Sequence, residues 1–192
     1  ENDPDGSIAV FSKEEFPPYA RPPLSKGLWA GKEEKGIFRK LDELDVDLIL
    51  DTTVEKISPD EKLVVTKKGK KYSYQKLLLA TGGDPRHMPG APADVIYYRT
   101  LDDYHKLKKE TELKDNFCII GGGFIGSELA AALTNNNKQV TMLFPEKGLS
   151  GTIFPENLSE YMAQYYRDKG VKVFTTHLVD SIVKEGDQFV VK

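Results

Sequence analysis

Phe117-Cys118-Ile119-Ile120-Gly121-Gly122-Gly123-Phe124-Ile125-Gly126-Ser127-Glu128-Leu129-Ala130-Ala131-Ala132-Leu133 decides how the rest of the chain reads. Phe117 to Ile120 is a short apolar run suited to a buried parallel strand, and it runs directly into Gly121-x-Gly123-x-x-Gly126. A lone GxGxxG is weak evidence. Here a helix-forming segment, Phe124 to Leu133, follows, and a second apolar run, Gln139 to Phe144, closes the unit. That order is the one a dinucleotide-binding βαβ unit requires, and it argues against a glycine-rich turn that holds nothing.

Each glycine has a mechanical task in this reading. Gly121 makes the tight turn out of the strand, Gly123 lets backbone approach a pyrophosphate, and Gly126 lets the helix lie close to the sheet. Unpaired N–H groups and the positive dipole end at the helix start favour an anion without any basic side chain. Glu146 lies about twenty residues beyond the glycines, where an acid accepts from both hydroxyls of an adenosine ribose and repels a 2′-phosphate. NAD(H) is therefore preferred to NADP(H), with the neighbouring Lys147 as the one residue pulling the other way.

Working outward, the 192 residues suggest one or two domains, and 39% hydrophobic with 30% charged residues is the composition of an ordinary soluble protein. A net charge of -3 gives no basic footprint for nucleic acid or anionic membrane, and no apolar stretch has the length to span a bilayer. Lys67 to Lys71 reads as a solvated hairpin tip. The single cysteine, Cys118, is expected buried and inert in its strand, and the scattered His87, His105 and His177 offer no metal-ligand spacing.

Toward the N-terminus, Ile8 to Phe11 reads as a strand and Ser12 to Trp29 as a proline-rich loop whose Tyr, Arg, Lys and Trp suit ligand contact. A helical spacing is expected over Lys35 to Leu44. Strands are expected at Val46 to Leu50, Val54 to Ile57, Lys62 to Thr66 and Tyr72 to Tyr74, the last two joined at Gly69, with a buried strand at Leu77 to Ala80. Prolines and glycines from Thr81 onward mark a linker, and a boundary near Asp94 separates domains 1–94 and 95–192. Beyond it come a helix around Leu101 to Lys109 and another over Pro155 to Lys169. The second helix is expected to turn Leu158, Tyr161, Met162, Tyr165 and Tyr166 toward the core. A third parallel strand, Val171 to Phe174, and a hairpin turning at Gly186 complete the pattern.

Three stretches together resemble the FAD-dependent pyridine nucleotide oxidoreductases, most nearly the apoptosis-inducing factor group and its ferredoxin-reductase-like relatives. Pro18-Tyr19-Ala20-Arg21-Pro22-Pro23-Leu24-Ser25-Lys26 resembles the flavin-loop signature, Leu79 to Gly83 the ATG box, and Gly121 to Leu133 with Phe144 to Gly148 the NAD segment. The resemblance implies an α/β fold of two Rossmann-like three-layer nucleotide-binding domains. An NAD domain (95–192) is inserted in a partial FAD domain (1–94), the first strand-glycine-helix unit for FAD being absent from this sequence. It implies FAD contacts at Glu14 (Lys13 standing where relatives carry the acid), Arg21, Lys26, Val54, Thr81, Gly82 and Arg99. NAD(H) contacts are implied at Gly121, Gly122, Gly123, Phe124, Ile125, Gly126 and Glu146. No cysteine pair occupies Tyr19 to Lys26, which excludes the flavin-disulfide branch.

The activity so implied is NADH-dependent flavoprotein oxidoreduction, a hydride passing from NADH to flavin and electrons onward to an external acceptor. That acceptor is a ferredoxin- or rubredoxin-like protein, a quinone or oxygen. A nucleotide-sensing scaffold flavoprotein is the alternative from another class. The resemblance also admits a dimer, and a cytoplasmic or, for a eukaryotic homologue, mitochondrial location. Lys26 and Glu128 are the catalytic candidates. Glu128 is expected in the first turn of the helix, paired with Lys26 beside flavin N5 so that the lysine stabilises negative charge on reduced flavin.

Overall fold

The computed structural model describes residues 6–41 and 44–192. Two compact units divide the chain, one of Glu1–Ala20 with Glu34–Gly83, the other of Arg21–Glu33 with Asp84–Lys192. None of the helices among the described residues is long and apolar enough to cross a membrane.

In the first unit β1 (Ile8–Phe11) and β2 (Val46–Ile49) pair in parallel, Ile8 opposite Val46. A separate antiparallel meander, β3 (Val54–Ser58), β4 (Leu63–Thr66) and β5 (Lys71–Ser73), turns at Gly69, whose φ of 79° takes the left-handed conformation that glycine allows. Two expectations fail here. The helix over Lys35 to Leu44 shrinks to one 3-10 turn, Glu34–Ile37, because the proline loop takes the backbone next door. Phe38 bridges Tyr19, the Ala20 N–H donates to the Ile37 carbonyl at 2.9 Å, and the Arg39 N–H donates to the Pro18 carbonyl at 2.8 Å. Asp42 and Glu43 of that expected helix lie outside the described residues.

The second failure is Leu77 to Ala80, which forms no strand. Leu78 is 87% exposed, and no described strand pairs with this segment. An apolar run cannot become a buried strand without a neighbour to satisfy its N–H and C=O groups.

The second unit is built on β6 (Asn116–Ile120), β7 (Gln139–Leu143) and β8 (Lys172–Phe174), parallel and in that order, with Phe117 opposite Val140 and Met142 opposite Val173. Helix α1 (Leu101–Leu113) precedes the sheet, α2 (Phe124–Asn135) joins β6 to β7, and α3 (Glu156–Asp168) joins β7 to β8. A hairpin, β9 (Ile182–Glu185) and β10 (Gln188–Val191), follows, turning at Gly186. The core combines Val140, Met142 and Val173 of the sheet with Leu129, Ala130 and Leu133 of α2. Leu101, Tyr104 and Leu107 of α1 are buried, as are Leu24, Leu28 and Trp29 from the proline loop. Trp29 sits edge-on to Tyr104 at 5.4 Å, and its carbonyl accepts from Asn136 Nδ2 at 3.2 Å. The C-terminal part of the proline loop thus sends Leu24, Leu28 and Trp29 into the core.

Two further expectations are corrected in this unit. Cys118 is exposed on β6, the edge strand of the three-stranded sheet. Neighbouring atoms still desolvate its thiol enough to raise the pKa. On α3, Leu158, Tyr161 and Tyr165 are exposed, Met162 and Tyr166 of the expected stripe are half-buried, and Ser159 and Ala163 are the buried residues. The loop before α3 comes very close to the helix backbone at Ser159. A Cβ on Gly148 would lie 2.2 Å from the Ser159 carbonyl carbon.

Candidate functional site

The glycine turn is shaped by close approach. Gly121 has φ 112°, and a Cβ on Gly126 would stand 2.2 Å from the Gly121 carbonyl oxygen, so a side chain at 126 would push α2 off the strand. Around Gly123 a Cβ would meet nothing within 4 Å, which leaves open space where a pyrophosphate would need it. Gly123 is the N-cap of α2 and no side chain caps the helix. The first-turn N–H groups therefore keep their capacity for an anion.

The loop after β7 closes against this turn. The Ser150 N–H donates to the Gly122 carbonyl at 2.7 Å, and the Leu149 N–H to the Ser159 carbonyl at 3.0 Å. Ser150 Oγ, beside the turn, is buried without a hydrogen-bond partner. Glu146, on the same loop, is half-buried, and its carbonyl accepts from the Thr176 N–H at 3.0 Å. The geometry fits a dinucleotide: a tight turn, open space above Gly123, an uncapped helix start and an acid past the second strand. Phe124 and Ile125 stand exposed at that helix start, Phe124 edge-on to Phe154 at 6.1 Å.

A second cluster in this unit gathers Arg21, Lys26 and Arg99. A cavity of about 230 Å³ is lined by these three with Ser25, Tyr98, Ile125 and Glu128, among others. Lys26 Nζ lies 3.1 Å from Glu128 Oε1, the ion pair expected from the sequence. Glu128 stands beyond the first turn of α2, contrary to expectation, so the helix dipole is not what holds it. Its holder is Ser25, whose Oγ donates to Glu128 Oε2 at 2.6 Å. Ser25 was not singled out by sequence reading, because nothing local in a proline-flanked serine announces a partner 103 positions away.

The backbone around this cluster is fixed from both sides. Thr100 and Asp103 form a capping box on α1, and Asp103 Oδ2 also accepts from the Arg99 N–H at 3.0 Å. The Arg99 carbonyl then accepts from Arg21 Nη1 at 2.9 Å. Next to Ser25, the Leu24 carbonyl accepts from Trp29 Nε1 at 2.8 Å and from the Tyr98 hydroxyl. Burial pushes Tyr98 above the ordinary tyrosine range, so at neutral pH it is a neutral phenol that donates to Leu24 and accepts from Trp29 Nε1 at 3.3 Å. The same direction holds for Tyr166, raised first by burial and then by Glu128. Its hydroxyl donates to the Ser127 carbonyl at 3.1 Å.

The remaining flavin candidates belong to the first unit. Glu14 accepts from the Tyr19 hydroxyl, Val54 opens β3 at a register irregularity, and Thr81 and Gly82 are exposed, Gly82 with φ 67°.

A parallel strand, glycine turn, helix, strand and terminal acid define a dinucleotide-binding α/β unit. The profile of the family described as Pyridine nucleotide-disulphide oxidoreductase matches residues 2–192, and the chain belongs to that family. Its fold is accordingly α/β of the Rossmann type, and FAD and NAD(H) are the cofactors of the family. The chain is 33% identical over 216 residues to "Apoptosis-inducing factor 1, mitochondrial" of Dictyostelium discoideum, covering 97% of this chain and 40% of the relative. It is 34% identical over 192 residues to "Monodehydroascorbate reductase 2" of Arabidopsis thaliana, covering 88% and 44%. Among solved structures, the covalent putidaredoxin reductase–putidaredoxin complex matches with TM-score 0.88 and 29% identity, over 96% of this chain and 47% of that one. The chain thus spans less than half the length of these curated relatives.

Proposed function

We propose that the protein is an NADH-dependent flavoprotein oxidoreductase, with 1–94 contributing to an FAD domain and 95–192 forming the NAD(H) domain. The observation that carries this is the Gly121-to-Glu146 unit, where a turn closed to side chains at Gly126 stands open at Gly123. When bound, the two cofactors would supply hydride-transfer chemistry, with electrons passed on to an external acceptor. An iron-containing carrier protein is the acceptor class favoured by the likeness to putidaredoxin reductase.

This chain's residues bind and orient. Uncapped N–H groups at Phe124 and Ile125 receive the pyrophosphate, Glu146 accepts from the ribose hydroxyls, and Gly122 and Gly123 let the nucleotide lie against backbone. In the second unit Arg21, Lys26 and Arg99 are the flavin candidates of this reading; those of the first unit are Glu14, Val54, Thr81 and Gly82. Lys26, held by Glu128 and Ser25, puts a fixed positive charge where negative charge develops on the reduced flavin.

Anaerobic flavin reduction by NADH, followed by stopped flow on the full-length protein, tests this. Lys26→Ala and Glu128→Ala should each slow reduction by about tenfold or more, and the double variant should be barely slower than either alone, since both act on one group. Additive losses, or single variants with unaltered reduction, would remove the pair from the reaction.

A further inference from the structure

Lys147 follows the acid that reads the ribose, and a free cation there would welcome a 2′-phosphate. The structure shows it engaged. Lys147 Nζ lies 2.8 Å from Oε1 of Glu156, the first residue of α3. Its ammonium is held above the usual lysine range, first by the hydrogen bond it donates to Glu156 and then by that residue's charge, with a smaller contribution from Glu160 one turn on. Glu146 therefore shares its end of the site with a lysine whose charge is already matched.

We infer that Glu156, by holding Lys147, sets the discrimination between NADH and NADPH at this site. The inference rests on the reading of Glu146 as the ribose contact and adds a specificity-determining residue that touches neither nucleotide. Two elements then act against a 2′-phosphate, a carboxylate that repels it and a cation withheld from it. The tie is geometric rather than strong, since both side chains are about three-fifths exposed and such a pair is worth little to folding. Weak ties of this kind matter where the alternative partner is a dianion. Removing Glu156 frees the lysine for a charge-assisted hydrogen bond while leaving the acid and the glycine turn in place.

The test is calorimetric titration of the full-length protein with ADP-ribose and with 2′-phospho-ADP-ribose. Glu156→Gln should tighten the phosphorylated probe about fivefold and leave ADP-ribose within about twofold, as expected for one exposed charge pair. Lys147→Ala in the Glu156→Gln background should cancel the gain, and about 0.5 M salt should erase it by screening. Both positions are exposed, so a circular dichroism melt should match wild type. Unchanged affinity for both probes in a folded Glu156→Gln protein overturns the inference alone. Wild-type protein that binds neither probe overturns the dinucleotide reading, and this inference with it.

Discussion

Two stretches run from apolar residues into glycines, Leu77 to Gly83 in one unit and Phe117 to Gly126 in the other, and they fold to opposite ends of the range. The second becomes a strand paired to β7, a turn too tight for a side chain at 126, and a helix whose Leu133 is 1% exposed. The first forms no strand, with Leu78 and Leu79 in solvent and nothing within 4 Å of a Cβ on Gly83. The difference is the neighbour. Composition makes a segment able to be a strand, and only a partner strand and a covering helix make it one.

Swapping glycines sharpens this contrast most. Gly126→Val should cost about 3 kcal/mol or more through overpacking against the Gly121 carbonyl and lower the melting temperature of the unit by about 6 °C or more. Gly83→Ala, with open space and no positive φ, should stay within about 1 kcal/mol of wild type. Equal melting shifts would break the comparison. The leucines should follow in the same sense. Leu133→Ala is expected to cost about 2 to 5 kcal/mol in urea unfolding, whereas Leu78→Ala should move the midpoint by about 0.5 kcal/mol or less.

The smallest effect lies on the open face of β6. Cys118 is accessible, yet burial of its surroundings raises its thiol. Alkylation of the native protein should go to completion but accelerate only above the ordinary thiol range near about pH 8.5. Since the folded pKa is raised, the associated stability is fully present below the unfolded value and is lost as pH rises through the folded one. A rate that levels off at neutral pH would contradict the assignment.

What was legible in the sequence was local. The turn at Gly121, the close packing at Gly126, the hairpins at Gly69 and Gly186 and the strand-helix order follow from residue chemistry over a few positions. The lost segments needed long-range knowledge. Backbone pairing to Tyr19 and Pro18 broke the helix expected after Lys35, and no periodicity of 35–44 could announce it. On α3 the tyrosines looked like a core stripe, but the buried residues are Ser159 and Ala163, and the backbone at Ser159 lies so close to the loop that only glycine fits at 148. For the candidate site, the Lys26–Glu128 contact was read through family resemblance rather than spacing. Ser25 became visible only once the fold had brought it to Glu128.

The account stands on a dinucleotide lying at Gly121 to Gly126 with its ribose on Glu146, and one binding comparison tests that directly. NADH and NADPH affinities of the full-length protein should be measured for wild type and Glu146→Ala. Wild type should prefer NADH, and the substitution should weaken NADH by about tenfold or more while changing NADPH far less, because a charge-assisted contact and a phosphate-repelling charge go together. Equal losses for both nucleotides, or no loss for either, would take Glu146 out of the site and contradict the reading.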